Sequence, residues 1–156
     1  MKRLRIYVDT SVFGGPFDEE FSEPSRRFFE EARQGRYTLV ISDVTVREIQ
    51  KGPPDVRRFF LALPEERMER VVMTHEAVTL RDRYIEAGIL APARLDDAAH
   101  VALATVAEAD LIVSWNFRHL VHFEKVRQYN AVNLTLGYKS IEIRSPQEVI
   151  HEDEGV

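Results

Sequence analysis

Asp96 to Ser114 reads DDAAHVALATVAEADLIVS, and this stretch decides the fold. Asp96 to Ala109 is rich in Ala and holds no Gly or Pro, so its intrinsic helix preference is among the strongest in the chain. Leu111 to Ser114 then forms a short apolar run without polar alternation. A strand apolar on both faces must be covered on both, which is the mark of a parallel sheet between two helical layers.

The same alternation extends in both directions. Upstream, Thr74 caps a predicted helix carrying Ala77, Leu80, Tyr84 and Ile85 and stopped by Gly88, with Pro92 in the loop beyond. Tyr37 to Ser42 (YTLVIS) reads as a strand. A short helix opens at Thr45 and stops at Gly52-Pro53-Pro54, and another spans Asp55 to Leu63. Ser25 to Gln34 places Phe28, Phe29 and Ala32 at helical spacing before Gly35. Ile6 to Val8 reads as a first strand ending in an Asp9-Thr10-Ser11 turn, before Gly14-Gly15-Pro16 breaks regularity. Downstream, Phe117 to Tyr129 is expected to be helical and Ser140 to Ile143 a last strand. Ser145-Pro146-Gln147-Glu148 carries the signature of a capped final helix. The expectation is a single three-layer α/β domain over 1–150, with a mainly parallel central sheet and helices on both faces, and a flexible acidic tail over 151–156.

Composition narrows the chemistry. The 156 residues carry 26 Asp plus Glu against 21 Lys plus Arg, a net charge of −5, and no Cys. Thiolate catalysis, disulfides and cysteine-based metal sites are excluded, and a reducing compartment such as cytoplasm suits the chain. No apolar run approaches the ~20 residues of a membrane span, so neither anchor nor export signal is expected. The acidic balance argues against binding nucleic acid through bulk positive charge.

In parallel sheets ligands collect beyond the carboxyl ends of the strands. That rule selects Asp9 after the first strand, Glu48 in the helix after the second, Asp97 at the start of the Ala-rich helix, and Asn116 after LIVSW. Carboxylates gathered in one crevice repel one another unless a cation joins them, and oxygen donors favour Mg²⁺ or Mn²⁺. Phosphodiester hydrolysis is the implied chemistry. Local roles compete: Asp9 as a turn residue, Glu48 as the far end of a Thr45-x-x-Glu48 capping box, Asp96 as a helix cap beside the candidate ligand Asp97, Asn116 and Asp43 as turn residues.

On these residues the sequence resembles the PIN-domain nucleases, and among them the VapC-like toxins of toxin-antitoxin modules. The likeness rests on YVDTSVF (Tyr7 to Phe13), ISDVTVREI (Ile41 to Ile49), LDDAAHVALA (Leu95 to Ala104) and LIVSWNFRHL (Leu111 to Leu120), in order along most of the chain. The resemblance implies a divalent-metal-dependent endoribonuclease. In it Asp9, Glu48 and Asp97 are the acidic metal ligands, Asn116 stands where an Asp is frequent, and Thr10, Ser11 and Ser114 are accompanying hydroxyls. It further implies an RNA substrate, a cognate antitoxin and a homodimer.

Arg118 is the cation placed to reach a substrate phosphate, with Arg47, Lys51, His119, His122, Lys125 and Arg127 as further basic neighbours. His100, three residues after Asp97, reads as a packing or surface residue, as do His119 and His122. Phe28, Phe29, Phe59 and Phe60 read as core, with a dimer or antitoxin surface as the other fate. Two other functions fit less of the sequence: a non-catalytic PIN-fold module binding RNA or protein, for which Asn116 is the support, and a haloacid-dehalogenase-type phosphotransferase. The latter wants a second Asp where Ser11 stands.

Overall fold

The computed structural model describes residues 3–151. Five strands form one parallel sheet: β1 (Leu4–Val8), β2 (Tyr37–Ser42), β3 (Met68–Val71), β4 (Leu111–Val113) and β5 (Glu142–Arg144), in the order β3-β2-β1-β4-β5. Ile6 of central β1 pairs with Leu39 on one side and Leu111 on the other. Successive side chains of a strand face opposite ways. Ile6 and Val8 therefore join Leu39, Ile41, Leu111 and Val113 in one core, while Tyr7 joins Val40, Ile112 and Ile143 in the other.

Helices α1 (Thr10–Gly14), α2 (Ser22–Arg33), α3 (Asp43–Gln50) and α4 (Pro54–Leu61) supply the first core, where Phe13, Phe28, Phe29 and Phe60 are buried. Phe59 is only partly buried against it. Helices α5 (His75–Glu86), α6 (Leu95–Val106) and α7 (Phe123–Thr135) cover the other face, and α6 buries eight consecutive residues from Ala98 to Thr105. A final turn, α8 (Pro146–Val149), closes with the expected box: Ser145 N–H donates to Glu148 Oε1 at 3.1 Å.

Several expectations shift. Strand β3 has no counterpart in the apolar sequence pattern, because its four residues, MERV, put Glu69 and Arg70 on a half-exposed sheet edge. Asp9 opens a helix instead of a turn, and α2 starts at Ser22, accommodating Pro24 in its first turn. The helix expected from Phe117 begins six residues later. Asn116 Oδ1 accepts from His119 N–H and its carbonyl from Leu120 and Val121, which holds 117–121 as a turn, and His122 then caps α7 at Lys125 N–H. Thr74 caps α5 as expected, at Ala77 N–H.

Of the tail, residues 152–156 lie outside the described region. His151 is tied in place, its N–H donating to Glu31 Oε1 at 2.7 Å. No helix among the described residues is long and apolar enough to cross a membrane.

Candidate active site

The carboxyl ends of β1, β2 and β4 bring the predicted residues together. Asp9 sits one residue past β1, at the start of α1, and is 4% exposed. Its Oδ2 accepts from Ser11 Oγ and Ser114 Oγ, each at 2.7 Å, while Ser11 Oγ also accepts from Trp115 N–H at 2.9 Å. Ser11 on α1 and Ser114 after β4 thus fix the carboxylate from two elements. The Asp9 carboxylate takes no backbone N–H of α1, so it does not cap the helix that follows it, and its tie to that helix is the Ser11 hydroxyl.

Glu48 is likewise released from the capping box. The cap of α3 is Ser42, whose Oγ accepts from Thr45 N–H at 3.1 Å. Glu48 Oε1 instead accepts from Thr10 Oγ1 at 2.8 Å and contacts His100 Nε2 at 2.6 Å. Burial alone would raise the Glu48 carboxyl; the bonds from His100 and Thr10 hold it below its usual range.

Asp97 enters from the first turn of α6. Its Oδ1 accepts from Asn116 Nδ2 at 3.3 Å. Burial and then the charge of Asp9 raise its pKa, against the opposing pull of His100 and Arg94. Asp96 is not the cap of α6, which has no side-chain cap bond; it pairs with Arg47 at 2.8 Å. Asp43 accepts from Met73 N–H at 3.1 Å, a structural tie to the segment leaving β3. Arg118 is exposed beside the Asn116 turn, and its charge is among those that lower the His119 pKa, after burial.

The residue that the sequence reading misplaced is His100. It is 1% exposed and sits inside the acidic cluster, 3.5 Å from Asp9 Oδ1 as well as 2.6 Å from Glu48. Burial opposes its protonation, yet its contacts with Tyr7, Glu48 and Asp9 outweigh that and raise its pKa well above the ordinary value. The signal lay in the spacing: a residue three after Asp97 in a helix shares its face.

Each carboxylate is held through one oxygen. Asp9 by Oδ2, Glu48 by Oε1 and Asp97 by Oδ1 accept the hydrogen bonds, and no hydrogen bond from the described residues reaches the second oxygen of any of the three. The mutual repulsion expressed in Asp97 and these hard oxygens without a hydrogen-bond donor, of which Asp9 Oδ1 has only the 3.5 Å contact with His100, fit a divalent cation chemically. They do not form a closed cage: among the described residues no three His, Asp or Glu side chains stand in metal-holding geometry. Mg²⁺ does not require one, because it keeps several waters and takes one or two carboxylates from a protein.

Solved structures share this arrangement of strands and helices. A chain of VapBC2 from Rickettsia felis, solved bound to a DNA fragment from their promoter, superposes with a TM-score of 0.61 at 12% identity, over 91% of this chain and 98% of that one. The chain has a PIN-like fold. A chain of FitAcB from Neisseria gonorrhoeae matches the PIN-like fold with a TM-score of 0.59 at 12% identity, over 92% and 99% of the two chains. A chain of FitAB bound to IR36 DNA fragment matches at 0.57 and 13%, over 94% and 99%. No protein-family model and no curated protein matches the sequence. The likeness is one of fold, and at these identities it carries no residue roles.

Proposed function

We propose that this PIN-like domain is a divalent-metal-dependent endoribonuclease and the toxin of a toxin-antitoxin pair. The observation that carries the reading is the gathering of Asp9, Glu48 and Asp97 at the carboxyl edge of the sheet, each accepting its hydrogen bonds through one oxygen and none through the other. Asp9, Glu48 and Asp97 are the residues that would hold Mg²⁺ or Mn²⁺. A cation bound there supplies charge stabilisation for a phosphodiester and a water of lowered pKa.

The protein's own contribution is to orient the donors in advance. Ser11 and Ser114 hold Asp9, Thr10 holds Glu48, and Asn116 holds Asp97. Asn116 fits this role better than an aspartate would: its amide donates to Asp97, where a fourth carboxylate would add to the repulsion already raising that group. That bond supports a positioning role for Asn116 within the nuclease reading, against its reading as lost chemistry in a purely binding module. Arg118, exposed next to this turn, is proposed to contact substrate phosphate.

The toxin assignment rests on the resemblance to VapC-like sequences together with the fold shared with the VapBC2 and FitAB chains. It brings a cognate antitoxin, a homodimer and a cytoplasmic setting as further proposals. The test is incubation of antitoxin-free protein with a mixed RNA pool in Mg²⁺, Mn²⁺ or EDTA. Cleavage that requires metal is expected; silence where a related nuclease cuts would overturn the nuclease, and RNA binding without cleavage would favour the binding module.

A further inference from the structure

The molecule contains a buried polar chain that the proposed chemistry does not by itself require. Tyr7 is fully buried in β1, yet its hydroxyl lies 2.7 Å from Ser42 Oγ and 2.6 Å from His100 Nδ1. Ser42 Oγ accepts from Thr45 N–H and reaches Thr45 Oγ1 at 3.2 Å, and Thr45 Oγ1 in turn reaches the Val8 carbonyl at 3.5 Å. The other ring nitrogen, His100 Nε2, faces Glu48 Oε1 at 2.6 Å. An imidazole is therefore pinned at both ends, between a phenol and a carboxylate.

Donor and acceptor arithmetic fixes what faces Glu48. An ionised carboxylate only accepts, and Asp9 Oδ1 stands on the same side of the ring at 3.5 Å, so Nε2 has to carry a proton. Nδ1 can be bare or protonated, because the Tyr7 hydroxyl can donate to it or accept from it, with Ser42 turning its own hydroxyl to suit. Either way the Nε2–H donor remains. Glu48 Oε1 is thereby occupied from two sides, by His100 and Thr10, and Oε2 is the oxygen left for the site.

We infer that His100, braced by Tyr7, is the positioning residue for Glu48: it holds one carboxylate oxygen so that the other is presented to a cation. The inference rests on the proposed role of Glu48. Ligand-orienting partners of this kind change metal affinity by about 10–100-fold. Its three elements, β1, α3 and α6, bring residues 7, 48 and 100 together, so the brace also reports that the site is assembled.

The test combines nuclear magnetic resonance with metal calorimetry on the full chain. Long-range ¹H–¹⁵N correlation in metal-free protein, with the His100 ring assigned by its disappearance in His100→Gln, is expected to show a proton on Nε2; a bare Nε2 overturns the inference. Mn²⁺ titration should give an affinity about tenfold or more lower in His100→Leu, largely restored in His100→Gln, whose amide N–H can replace Nε2–H. Tyr7→Phe, which keeps the buried ring, should weaken Mn²⁺ binding by a smaller factor and broaden the His100 Nε2–H signal. Equal Mn²⁺ affinity in wild type and a folded His100→Leu would overturn it. A wild type that binds no Mn²⁺ overturns the metal-dependent function instead, and the ring-proton measurement in wild type and Tyr7→Phe then decides the brace independently.

Discussion

Ser114 and Asp9 lie 105 residues apart in sequence, and a 2.7 Å hydrogen bond joins the hydroxyl of one to Oδ2 of the other. Both are buried, and Ser11 donates to the same oxygen. A buried carboxylate oxygen that loses a donor keeps its desolvation cost, so Ser114→Ala is expected to lower stability by about 1–3 kcal/mol in urea denaturation. The Ser11→Ala, Ser114→Ala double variant should lose more than the sum of the singles, because only then is Oδ2 left without a protein donor. Additive losses would mean that water replaces the hydroxyls.

Asp97 sets function against stability. Its raised pKa means that the fold favours the protonated form, so the metal-free protein loses stability as pH rises from the unfolded carboxyl value through the folded one. Asp97→Asn removes that loss and should melt higher than wild type at pH 7 without metal, by ~2–4 °C if the gain is about 1 kcal/mol. Saturating Mn²⁺ should reverse the order, since a ligand at 100 times its Kd adds about 2.7 kcal/mol to the protein that binds it. Scanning calorimetry at both conditions checks it.

Glu31 predicts acid sensitivity at the opposite end of the molecule. Burial would raise this carboxyl, but the bonds from Tyr37 and from His151 N–H and its ring hold it below its usual range. A depressed carboxyl contributes stability that is present above its unfolded pKa and lost as pH falls through the folded one. Wild type should therefore lose stability below about pH 4.3, the ordinary Glu value. Glu31→Gln should start lower at neutral pH and show a flatter decline, in melts followed from pH 7 to 3.

Arg118 is exposed, so Arg118→Ala should change stability by no more than about 0.5 kcal/mol. If it meets a phosphate, RNA affinity should fall and the slope of log K against log salt should drop by ~0.7, the value for one contact to a single strand. Fluorescence anisotropy in Ca²⁺ or EDTA at several salt concentrations reads both. An unchanged slope would remove Arg118 from the interface.

Much of this site was legible because local chemistry and tertiary placement agree. Asp9, Asp97 and Asn116 stand directly at element ends, where the chain order of short apolar runs already points to the carboxyl edge of a parallel sheet. Glu48 was readable by position, but its partners were not, since Thr45-x-x-Glu48 spells a capping box that Ser42 supersedes by taking the cap itself. For His100 the spacing shows only that it shares a helix face with Asp97; that this face packs against β1 and α3 at once is a consequence of the sheet order. The edge strand Met68–Val71 and the late start of α7 escaped for a related reason: polar residues on a half-exposed edge, and an asparagine turn that interrupts a helical pattern, are tertiary outcomes.

The most direct test of the central claim is a side-by-side assay of wild type and Asp97→Asn on a mixed RNA pool, each with Mn²⁺, with Mg²⁺ and with EDTA. Wild type is expected to cut only with metal, and the variant is expected not to cut although it folds and melts higher without metal. Equal cutting by both proteins, or none by wild type where a related nuclease cuts, would contradict it.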